Sequence, residues 1–475
     1  MDKYLALNSL EGSVIPPSSK SHLHRALIAA AFASTPTSVS TTKLCDDCLV
    51  TLEALQALGI AIQQEQSEEK LLLKLKPCKA EEIAQTFRKN PLLIDCKESG
   101  SSLRFLLPLL CFLGIPARLT GHPRLKERPL KDLIQALASG TCTIRKQESH
   151  TSKPSWFYEV SFAEGHKPQS SFTLNAHASS QYVSGILMAS AALQHPVSIN
   201  LEGTIESWPY IELTIKTLED FYPQARFTVE CNKRSIHCDY SCSHRDNKTQ
   251  RKYYDIESDW SAAAFWLCAS ALPNCTINVE RLNLGSCQGD KAILKILDRW
   301  GAHVHSVPCA THHELSSLSL TCTSPCSFTW DFSHTPDLAC IATLLASCAC
   351  GISTFKACGR LALKESNRLE GCKHFAQSLG AQAWIEGDTL FIRGNTKLWE
   401  SLSNKTLQKE EKPPVFESFS DHRFAMSAAI ASLLYPQGAY INNPHCVAKS
   451  YPGFFEDLES LSAAQGRRQP CVQQP

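Results

Sequence analysis

One pattern recurs along the chain: a polar or glycine-containing turn opens directly into an apolar run rich in small residues. It occurs six times at intervals of about eighty residues, around Lys20, Gly100, Ser180, Asp259, Asp337 and Asp421. A second run in each interval has apolar residues at helical spacing: DDCLVTLEALQALG, RPLKDLIQALASG, YIELTIKTLEDF, DKAILKILDRWG, ESNRLEGCKHFAQSLG and PGFFEDLESLSAA. A fixed period indicates one supersecondary unit used repeatedly, and a period this long predicts a small αβ subdomain rather than a solenoid repeat.

Short strand-like segments lie between the predicted helices. LLLKLKP, TINVERL, STFKACG and AYINNPH alternate or are rich in β-branched residues, as strands are. Helix and strand are therefore mixed throughout, which predicts an α/β fold. Three hydrophilic stretches are interpreted as surface insertions: Arg145 to Pro168, Cys231 to Lys252 and Asn395 to Pro414. The second of them is the best boundary between two three-unit halves.

Composition and charge exclude some classes of function. The formal net charge is +1 over 475 residues, so there is no general basic footprint for nucleic acid, and any anion site is a local arrangement. The apolar runs are too short and too interrupted by Ser, Arg and Cys to span a bilayer. The N-terminal MDKYLALNSLEGSV has neither signal-peptide nor transit composition. We expect a cytoplasmic protein.

The 22 cysteines mostly stand singly inside apolar runs, where Cys acts as a small buried hydrophobe. Cys45 and Cys48 form a CxxC pair at a predicted helix start, with no comparable partner pair. A metal or redox role is therefore not favoured. Reduced thiols are the expectation for a reducing compartment.

Several of the polar turns carry groups that bind anions. A helix N-terminus presents unpaired backbone N–H groups and a partial positive charge, and PPSSKSHLHRALIAA adds Lys20, Ser21 and Arg25 to such a terminus. Ser21 and Arg25 are four residues apart and share one helical face. Gly100 in ESGSSLRFLLP lets a ligand lie against the backbone. Each string alone also fits an ordinary capped helix with solvated charges.

The segment GRLALKESNRLEG is the richest in charge. Its spacing predicts Lys364 and Arg368 on one helical face, with Glu365 beside Lys364. Asp337 opens an apolar helix, where a buried carboxylate needs a reason, and Arg423 stands just inside another helix start. A surface helix with ion pairs is the ordinary interpretation of such a segment, and local spacing does not bring these groups together.

In this order and spacing, a series of segments resembles the 3-phosphoshikimate 1-carboxyvinyltransferase (EPSP synthase) family of enolpyruvyl transferases: KSHLHRAL, ESGSSLRF, LTGHPRLKERPL, SSQYVSGILM, SDWSAAAF, QGD, PDLA, LKESNRL, SDHRFAM and AKSYPGFF. The resemblance runs from about Ser13 to Leu461. It implies a two-domain inside-out α/β barrel of six βαβαββ repeats, three per domain. Residues 16–252 would form the N-terminal domain on the shikimate 3-phosphate side, residues 1–15 with 253–462 the C-terminal domain, and residues 463–475 a disordered tail.

The resemblance also implies a reaction. The enolpyruvyl group of phosphoenolpyruvate would be transferred to the 5-hydroxyl of shikimate 3-phosphate, giving 5-enolpyruvylshikimate 3-phosphate and phosphate through a tetrahedral intermediate. The reaction belongs to the shikimate pathway to chorismate and the aromatic amino acids, and the family is the target of glyphosate. No metal and no organic cofactor is implied. The expected partners are the two small-molecule substrates, with a monomeric protein and no nucleic acid or membrane.

Carried over by motif, the resemblance assigns two sets of substrate contacts. Phosphoenolpyruvate would contact Lys20, Gly100, Arg128, Gln181, Arg368, Arg423 and Lys449. Shikimate 3-phosphate would contact Lys20, Ser21, Arg25, Ser179, Ser180, Gln181, Ser207, Tyr210, Asp337 and Lys364. Asp337 would be the base on the 5-hydroxyl. Glu365, with Lys20 nearby, would donate a proton to the methylene carbon, and the dominant acid of the two stays open.

Four positions depart from the family pattern. Glu98 stands where asparagine is frequent, Asn367 where aspartate is common, and Arg360 and Trp208 where other members often carry asparagine and a basic residue. Two alternatives are weighed against the shikimate assignment. The related transferase acting on UDP-N-acetylglucosamine has a reactive cysteine in the loop aligned with RLTGHPRLKERPL, which has none here. A catalytically inactive member would be expected to lose Asp337, Glu365 or an arginine of the anion clamp.

Overall fold

The structure is a computed structural model, and it describes residues 2–67, 70–87, 91–149, 155–175, 177, 179–240, 252–309, 314–404 and 412–463. The chain divides into two units. The continuous unit comprises residues 18–257, and the split unit comprises residues 1–17 together with 258–475. The sequence placed these two boundaries after residues 15 and 252. Residues 253–255 fall in the continuous unit because they pair as a strand with residues 38–40.

The strands are short and spread along the chain. They are β1 (Lys3–Leu5), β2 (Leu10–Val14), β3 (Thr37–Thr41), β4 (Ala61–Gln66), β5 (Leu71–Lys76), β6 (Leu92–Asp95), β7 (Ala117–Thr120), β8 (Cys142–Ser149), β9 (Ser155–Phe162), β10 (Ser171–Asn175), β11 (Val197–Glu202), β12 (Arg226–Val229), β13 (Ser235–Asp239), β14 (Tyr253–Asp255), β15 (Cys275–Asn283), β16 (Ala302–Pro308), β17 (Leu315–Cys322), β18 (Thr329–Asp331), β19 (Ile352–Lys356), β20 (Gln382–Glu386), β21 (Thr389–Arg393), β22 (Val415–Phe416) and β23 (Ala439–Ile441).

Helices alternate with these strands. They are α1 (Lys20–Ala31), α2 (Asp46–Ala57), α3 (Ala80–Thr86), α4 (Gly100–Leu113), α5 (Pro123–Glu127), α6 (Lys131–Leu137), α7 (Ser180–Leu193), α8 (Trp208–Phe221), α9 (Trp260–Ser270), α10 (Ile293–Trp300), α11 (Ala339–Cys348), α12 (Arg368–Ser378), α13 (Thr396–Asn404), α14 (His422–Ala431) and α15 (Phe454–Ala463).

The described residues of the continuous unit form three four-stranded sheets: β14-β3-β5-β4, β6-β7-β9-β8 and β10-β11-β13-β12. In each sheet the first pair is parallel and the other pairs are antiparallel. A parallel pair needs a crossover connection, and α4 and α7 supply it for the second and third sheets. The second sheet with its helices is therefore one βαβαββ unit, as the period of the sequence predicted.

The split unit repeats this arrangement with strands from distant parts of the chain. Its described sheets are β2-β15-β17-β16, β18-β19-β21-β20 and the three-stranded β22-β23-β1. β2 pairs in parallel with β15, and β1 pairs antiparallel with β23. Residues 1–17 thus complete two sheets whose other strands all come from beyond Ser258.

The helices rich in small residues form the interior of each unit. In the continuous unit α7 packs against α4 and α1, and in the split unit α11 packs against α14 and α9. A helix that is apolar on all sides is buried on all sides. Small residues let such helices approach closely. At Gly185 on α7, a Cβ atom would lie 2.5 Å from the Arg104 carbonyl oxygen of α4, so this position needs glycine.

The predicted α/β fold is confirmed, and the predicted helix openings lie where the polar turns indicated. α1, α4 and α7 begin at Lys20, Gly100 and Ser180; Asp259 and Asp421 cap α9 and α14; and Asp337 lies in the 3-10 turn Pro336–Leu338 that leads into α11. At α1, α4, α7, α9 and α14 the cause is the N-cap: an oxygen of Ser or Asp accepts from a backbone N–H group of the first turn.

The interpretation of the three hydrophilic stretches as surface insertions is wrong in part. β9 buries Trp156, β13 buries Ile236, and α13 buries Trp399, which packs edge-on against Trp300 at 5.4 Å. A strand with one buried face, or a helix with one apolar stripe, can be hydrophilic on average because its exposed residues are polar, although the residues of the other face lie in the core. Residues 150–154, 241–251 and 405–411 of these stretches, and residues 464–475 of the predicted tail, lie outside the described residues.

Two expectations from composition concern membranes and thiols. No helix in the described ranges combines the length and apolar character needed to cross a membrane. The cysteines that the structure describes are free thiols, and Cys45 and Cys48 are buried at the start of α2. Within the same ranges, no cluster of three or more His, Cys, Asp and Glu side chains could hold a metal ion.

Candidate active site

Lys20 is held in place at the start of α1. Its ammonium lies 2.9 Å from an oxygen of the Asp47 carboxylate on α2, and both side chains are largely buried. Ser19 caps the helix by accepting from the His22 amide. The ordinary interpretation of this turn was a solvated charge. The buried ion pair instead fixes the ammonium at a helix N-terminus, where it adds to the positive potential of the helix.

Hydrogen-bonded side chains tie the start of α4 to α1 and α2. The hydroxyls of Ser99 and Ser102 lie 2.7 Å apart, Ser102 lies 2.8 Å from Thr51, and Thr51 lies 2.8 Å from Nδ1 of His24. All four side chains are buried. Buried polar groups that satisfy one another in this way hold one arrangement of the elements that carry them, here the Gly100 turn and the helix that begins at Lys20.

This network makes stability depend on pH. Burial lowers the pKa of His24 from its ordinary 6.5 to about 3. Between these values the unfolded chain binds a proton that the folded chain does not, so the free energy of unfolding should fall as the pH drops from about 6.5. Urea unfolding of the whole chain, followed from pH 7 to pH 4, measures the slope. His24→Gln should reduce the slope, with buried His22, whose pKa is also lowered to about 3, supplying the rest, and the exposed His303→Gln should leave it unchanged; equal slopes in the two variants would contradict the assignment.

Two guanidinium groups converge on Gly100. A Cβ atom at this position would lie 2.7 Å from Cζ of Arg128 and 2.8 Å from Nη1 of Arg104. Arg104 is buried on α4 and donates to Gln181 Oε1 (3.0 Å) and to the Pro129 carbonyl (2.9 Å). Like charges this close repel one another, and an anion beside them relieves the repulsion. The glycine leaves the room for the two guanidinium groups.

Gln181 joins the start of α7 to this arrangement. Its Nε2 donates to the Ser101 hydroxyl at 2.8 Å while its Oε1 accepts from Arg104. Gly100, Arg128 and Gln181, which the sequence assigned to one substrate, therefore lie together. Arg104 was missed as a member of the set. The signal for it was present, because Arg104 is the one charged residue in the helix GSSLRFLLPLLCFL.

The serines assigned to shikimate 3-phosphate lie at two helix starts. Ser179 caps α7 by accepting from the Gln181 amide, Ser180 is the first residue of that helix, and Ser207 occupies the N-cap position of α8 without a capping hydrogen bond from its side chain. All three are buried. Ser207 has φ +54°, a left-handed conformation that residues other than glycine rarely adopt and that persists where the surroundings impose it.

Arg25 is a structural link as well as a candidate contact. Its Nε donates to Thr214 (2.6 Å), its Nη1 to the Ser21 carbonyl (2.7 Å), and its Nη2 to the Tyr210 carbonyl (3.1 Å) and the Ser184 hydroxyl (3.2 Å). The side chain is 2% exposed. It therefore ties α1 to α7 and α8 and fixes the backbone of Ser21 and Tyr210, two of the other assigned residues.

In the split unit, three cations surround the Asp337 carboxylate. Arg368 Nη1 lies 2.7 Å from Oδ1, Arg423 Nη2 lies 3.2 Å from Oδ2, and Lys364 Nζ lies 3.5 Å from Oδ1. Burial by itself would raise the pKa of Asp337. The three cations, Arg423 first, outweigh burial and hold this pKa well below its usual range. Asp337 is therefore ionised at neutral pH.

Arg368 is also held by two further carboxylates. Asp421 accepts from Nε (2.7 Å) and Nη2 (3.1 Å), and Glu365 lies 2.7 Å from Nη2. Arg368 is 1% exposed and Asp421 is fully buried. A buried bidentate pair of this kind gives a guanidinium one orientation. Asp421 was predicted only as the opening of α14, and its role as an anchor for Arg368 was missed.

The prediction that Lys364 and Arg368 share one helical face is wrong. α12 begins at Arg368 with Asn367 as its N-cap, so Lys364 and Glu365 precede the helix. They nevertheless reach the same cluster, through Asp337 and Arg368 respectively. Burial lowers the pKa of Lys364 to about 8, against the attraction of Asp337, so this ammonium gives up a proton more readily than an ordinary lysine.

Arg423, on α14, reaches two other elements. Its Nη1 donates to the Asp337 carbonyl (3.1 Å), and its Nη2 donates to the Ser261 hydroxyl (3.3 Å) in the first turn of α9. Lys449 is the last residue of the 3-10 turn Pro444–Lys449, which packs against α14. Helix starts thus bring basic side chains together in each unit, and the split unit adds the partly buried, ionised Asp337 carboxylate.

Such an arrangement defines a class: α/β proteins of repeated units that gather basic side chains at helix N-termini, where anions bind. Residues 6–458 match the family EPSP synthase (3-phosphoshikimate 1-carboxyvinyltransferase), and the chain belongs to this family. A relative with the name 3-phosphoshikimate 1-carboxyvinyltransferase, from Clostridium perfringens, is 32% identical over 458 residues, which are 96% of this chain and 97% of the relative. Another with that name, from Clostridium acetobutylicum, is 30% identical over 452 residues, 95% of each chain.

Solved structures share the fold. The EPSP synthase from Acinetobacter baumannii superposes with a TM-score of 0.69 at 20% identity, covering 97% of each chain. The enolpyruvyl transferase NikO from Streptomyces tendae gives a TM-score of 0.64 at 15% identity, covering 97% of this chain and 96% of its own. These likenesses confirm the predicted inside-out α/β fold class.

Proposed function

We propose that this protein transfers the enolpyruvyl group of phosphoenolpyruvate to the 5-hydroxyl of shikimate 3-phosphate and releases phosphate. The observation that carries the proposal is the Asp337 carboxylate held by Arg368, Arg423 and Lys364, in a chain whose curated relatives are 3-phosphoshikimate 1-carboxyvinyltransferases. The same names argue against UDP-N-acetylglucosamine as the acceptor. An inactive member is not favoured, because the groups that the chemistry needs are in place.

The chemistry requires an acid and a base in one site. The enol phosphate is unreactive until its methylene carbon takes up a proton, and the cationic carbon that results is attacked by the 5-hydroxyl oxygen. A base removes the hydroxyl proton as the new C–O bond forms. The tetrahedral intermediate then loses a methyl proton and its phosphate, which restores the double bond. General acid–base catalysis at both steps contributes about 10²–10⁴-fold each.

Asp337 is a weak base until phosphoenolpyruvate binds. Its three cations lower its pKa, and two of them, Arg368 and Arg423, are the groups assigned to phosphoenolpyruvate. When the anionic groups of phosphoenolpyruvate take these arginines, Asp337 loses its pairing and its affinity for a proton rises. The 5-hydroxyl is therefore activated only when the group that it attacks is present.

The binding of phosphoenolpyruvate also changes the affinity of Glu365 for a proton. Its carboxylate pairs with Arg368 at 2.7 Å, which stabilises the ionised form and disfavours proton donation. Phosphoenolpyruvate on Arg368 removes that stabilisation and favours the acid form, which can then protonate the methylene carbon. Lys364, with its lowered pKa, stays beside Asp337 when the arginines are taken.

The continuous unit supplies fixed contacts for the anions. Arg128, Arg104 and Gln181 surround the space beside Gly100 and suit the phosphoenolpyruvate groups, since arginine matches carboxylate and phosphate with two parallel hydrogen bonds. The backbone N–H groups at the starts of α7 and α8, with the hydroxyls of Ser179, Ser180 and Ser207, suit the phosphate of shikimate 3-phosphate. Hydrogen bonds to Gln181, Ser101 and the Pro129 carbonyl hold the elements around Gly100 in place.

A phosphate-release assay with both substrates tests the function. Release should require phosphoenolpyruvate and shikimate 3-phosphate together, and mass spectrometry should detect 5-enolpyruvylshikimate 3-phosphate. Asp337→Asn should remove the activity, and the matched variant Asp331→Asn, at the exposed end of β18, should retain it. Release with UDP-N-acetylglucosamine in place of shikimate 3-phosphate, or with neither acceptor, would refute the proposal.

Arg128→Ala should act on binding more than on turnover. Loss of a charged hydrogen-bond donor from the clamp should raise the KM for phosphoenolpyruvate by about 10- to 100-fold, with a smaller change in kcat. Arg124→Ala is the control, because the guanidinium of this close neighbour pairs instead with Glu127 at 2.7 Å. Steady-state kinetics at saturating shikimate 3-phosphate separates the two constants, and an unchanged KM in Arg128→Ala would remove Arg128 from the clamp.

A further inference from the structure

Asp290 is a buried acid with no part in the chemistry described above. It lies in the 3-10 turn Gly289–Ala292 and is 2% exposed. A buried carboxylate costs several kcal/mol unless it is paired or hydrogen-bonded. Its Oδ2 accepts a hydrogen bond from the Ser261 hydroxyl. Only the Ser261 side chain separates this carboxylate from Arg423, and the presence of a buried acid at this position needs an explanation.

The Ser261 hydroxyl connects Asp290 to Arg423. The hydroxyl accepts a hydrogen bond from Arg423 Nη2 at 3.3 Å and donates a hydrogen bond to Asp290 Oδ2. A hydroxyl has one proton to donate and two lone pairs to accept with, and a carboxylate only accepts. An ionised Asp290 therefore fixes the direction of the Ser261 hydroxyl and aims its lone pairs at Arg423.

Charged groups on three elements face Asp290. Arg423 approaches from α14, Asp337 from the turn before α11, and Asp259 from the N-cap of α9. Burial first, and then the Asp337 charge, raise the pKa of Asp290 to about 6, while Arg423 acts in the opposite direction. Asp290 consequently loses its charge just below neutral pH.

We propose that Ser261 and Asp290 are positioning residues that orient Arg423 for phosphoenolpyruvate, with ionised Asp290 as the orienting state; this rests on the proposed function. Arg423 also pairs with the Asp337 carboxylate. When phosphoenolpyruvate takes the place of that carboxylate, the hydrogen bonds to the Asp337 carbonyl and the Ser261 hydroxyl still hold the guanidinium. Ser261 holds the guanidinium plane at the moment when its strongest partner leaves.

Three variants test the proposal. Ser261→Ala removes the acceptor for Arg423 and should raise the KM for phosphoenolpyruvate about tenfold, the effect of one hydrogen bond to a charged group, with kcat nearly unchanged. Ser261→Thr keeps the hydroxyl and should restore the KM. Asp290→Asn keeps an acceptor for the Ser261 proton but removes the charge, and it should raise the KM at pH 8. The exposed Asp298→Asn is the control.

The dependence on pH separates positioning from a merely structural role. The phosphate groups of both substrates also titrate near pH 6, so the measured quantity is the ratio of the KM of Asp290→Asn to that of the wild type at each pH. The ratio should be largest at pH 8 and approach one below about pH 6, where the wild-type Asp290 is itself uncharged. Thermal unfolding midpoints identify any variant that lost affinity by unfolding.

Several outcomes would overturn the proposal: a Ser261→Ala variant with wild-type KM, a Ser261→Thr variant as impaired as Ser261→Ala, or a KM ratio that stays constant from pH 8 to pH 5.5. If no turnover occurs with shikimate 3-phosphate, the proposed function fails while the positioning role is still tested. In that case calorimetric titration with inorganic phosphate should give weaker binding in Ser261→Ala than in the wild type and Ser261→Thr. Equal affinities would refute it.

Discussion

Asp337→Ala should lower kcat by about two orders of magnitude or more, because the 5-hydroxyl loses its base. The affinity for phosphoenolpyruvate, in contrast, should rise when this carboxylate is lost. The Asp337 carboxylate pairs with Arg368 and Arg423, so phosphoenolpyruvate must displace an internal competitor. Asp337→Asn should therefore bind phosphoenolpyruvate or inorganic phosphate more tightly than the wild type. Steady-state kinetics measures the first effect and calorimetric titration the second.

The two measurements test different assignments. Normal turnover in Asp337→Ala would mean that another group takes the hydroxyl proton. Weaker phosphate binding in Asp337→Asn would mean that its carboxylate supports the clamp and does not compete for it. The exposed Asp331→Asn should change neither constant, which controls for the loss of one negative charge from the split unit.

Gly100→Ala should weaken the binding of glyphosate more than the binding of phosphoenolpyruvate. A methyl group here would meet Arg128 and Arg104. Arg104 is fixed by Gln181 and the Pro129 carbonyl, so the strain falls on Arg128 and on the space for the ligand. Overpacking of this kind costs about 1–3 kcal/mol. Glyphosate, which the family binds in the phosphoenolpyruvate pocket, is slightly longer than the substrate and should lose more binding free energy.

Inhibition constants for glyphosate, measured against varied phosphoenolpyruvate in wild type and variant, decide this prediction. Inhibition should be competitive in both. Gly140→Ala is the matched control, because a Cβ atom at Gly140 would have no neighbour within 4 Å. Equal inhibition constants in wild type and Gly100→Ala would mean that Gly100 does not border the pocket.

The sequence predicted the parts of the site that local chemistry determines. A serine or aspartate before an apolar run is an N-cap, and this alone located the helix starts at Lys20, Gly100, Ser180 and Asp421. The assignment of residues to substrates came from the ordered motifs and not from spacing. What the residues alone could not provide was contact: nothing in the local pattern places Asp337 beside Lys364 and Arg368, because a tertiary fold joins segments that are distant in sequence.

The errors have specific causes. Lys364 and Arg368 matched a helical spacing, but Asn367 is a strong N-cap and starts α12 after Lys364. Arg104 and Asp421 were passed over because their roles are indirect: each orients a group that was already assigned. Averaging hydrophilicity over Arg145 to Pro168 concealed the alternation that buries Trp156 and Tyr158 on β9.

The pairing of β1 and β2 has a consequence for biosynthesis. The continuous unit is one uninterrupted stretch, so all of its strands have been synthesised once residue 257 has been made. β1, in contrast, has no partner until β23 (Ala439–Ile441) is synthesised. At typical translation rates this delay is on the order of half a minute. β2 finds its partner earlier, once β15 has been made, so β1 alone stays an unpaired strand for the whole delay, the stage of synthesis at which a chaperone that shields extended chain would matter most.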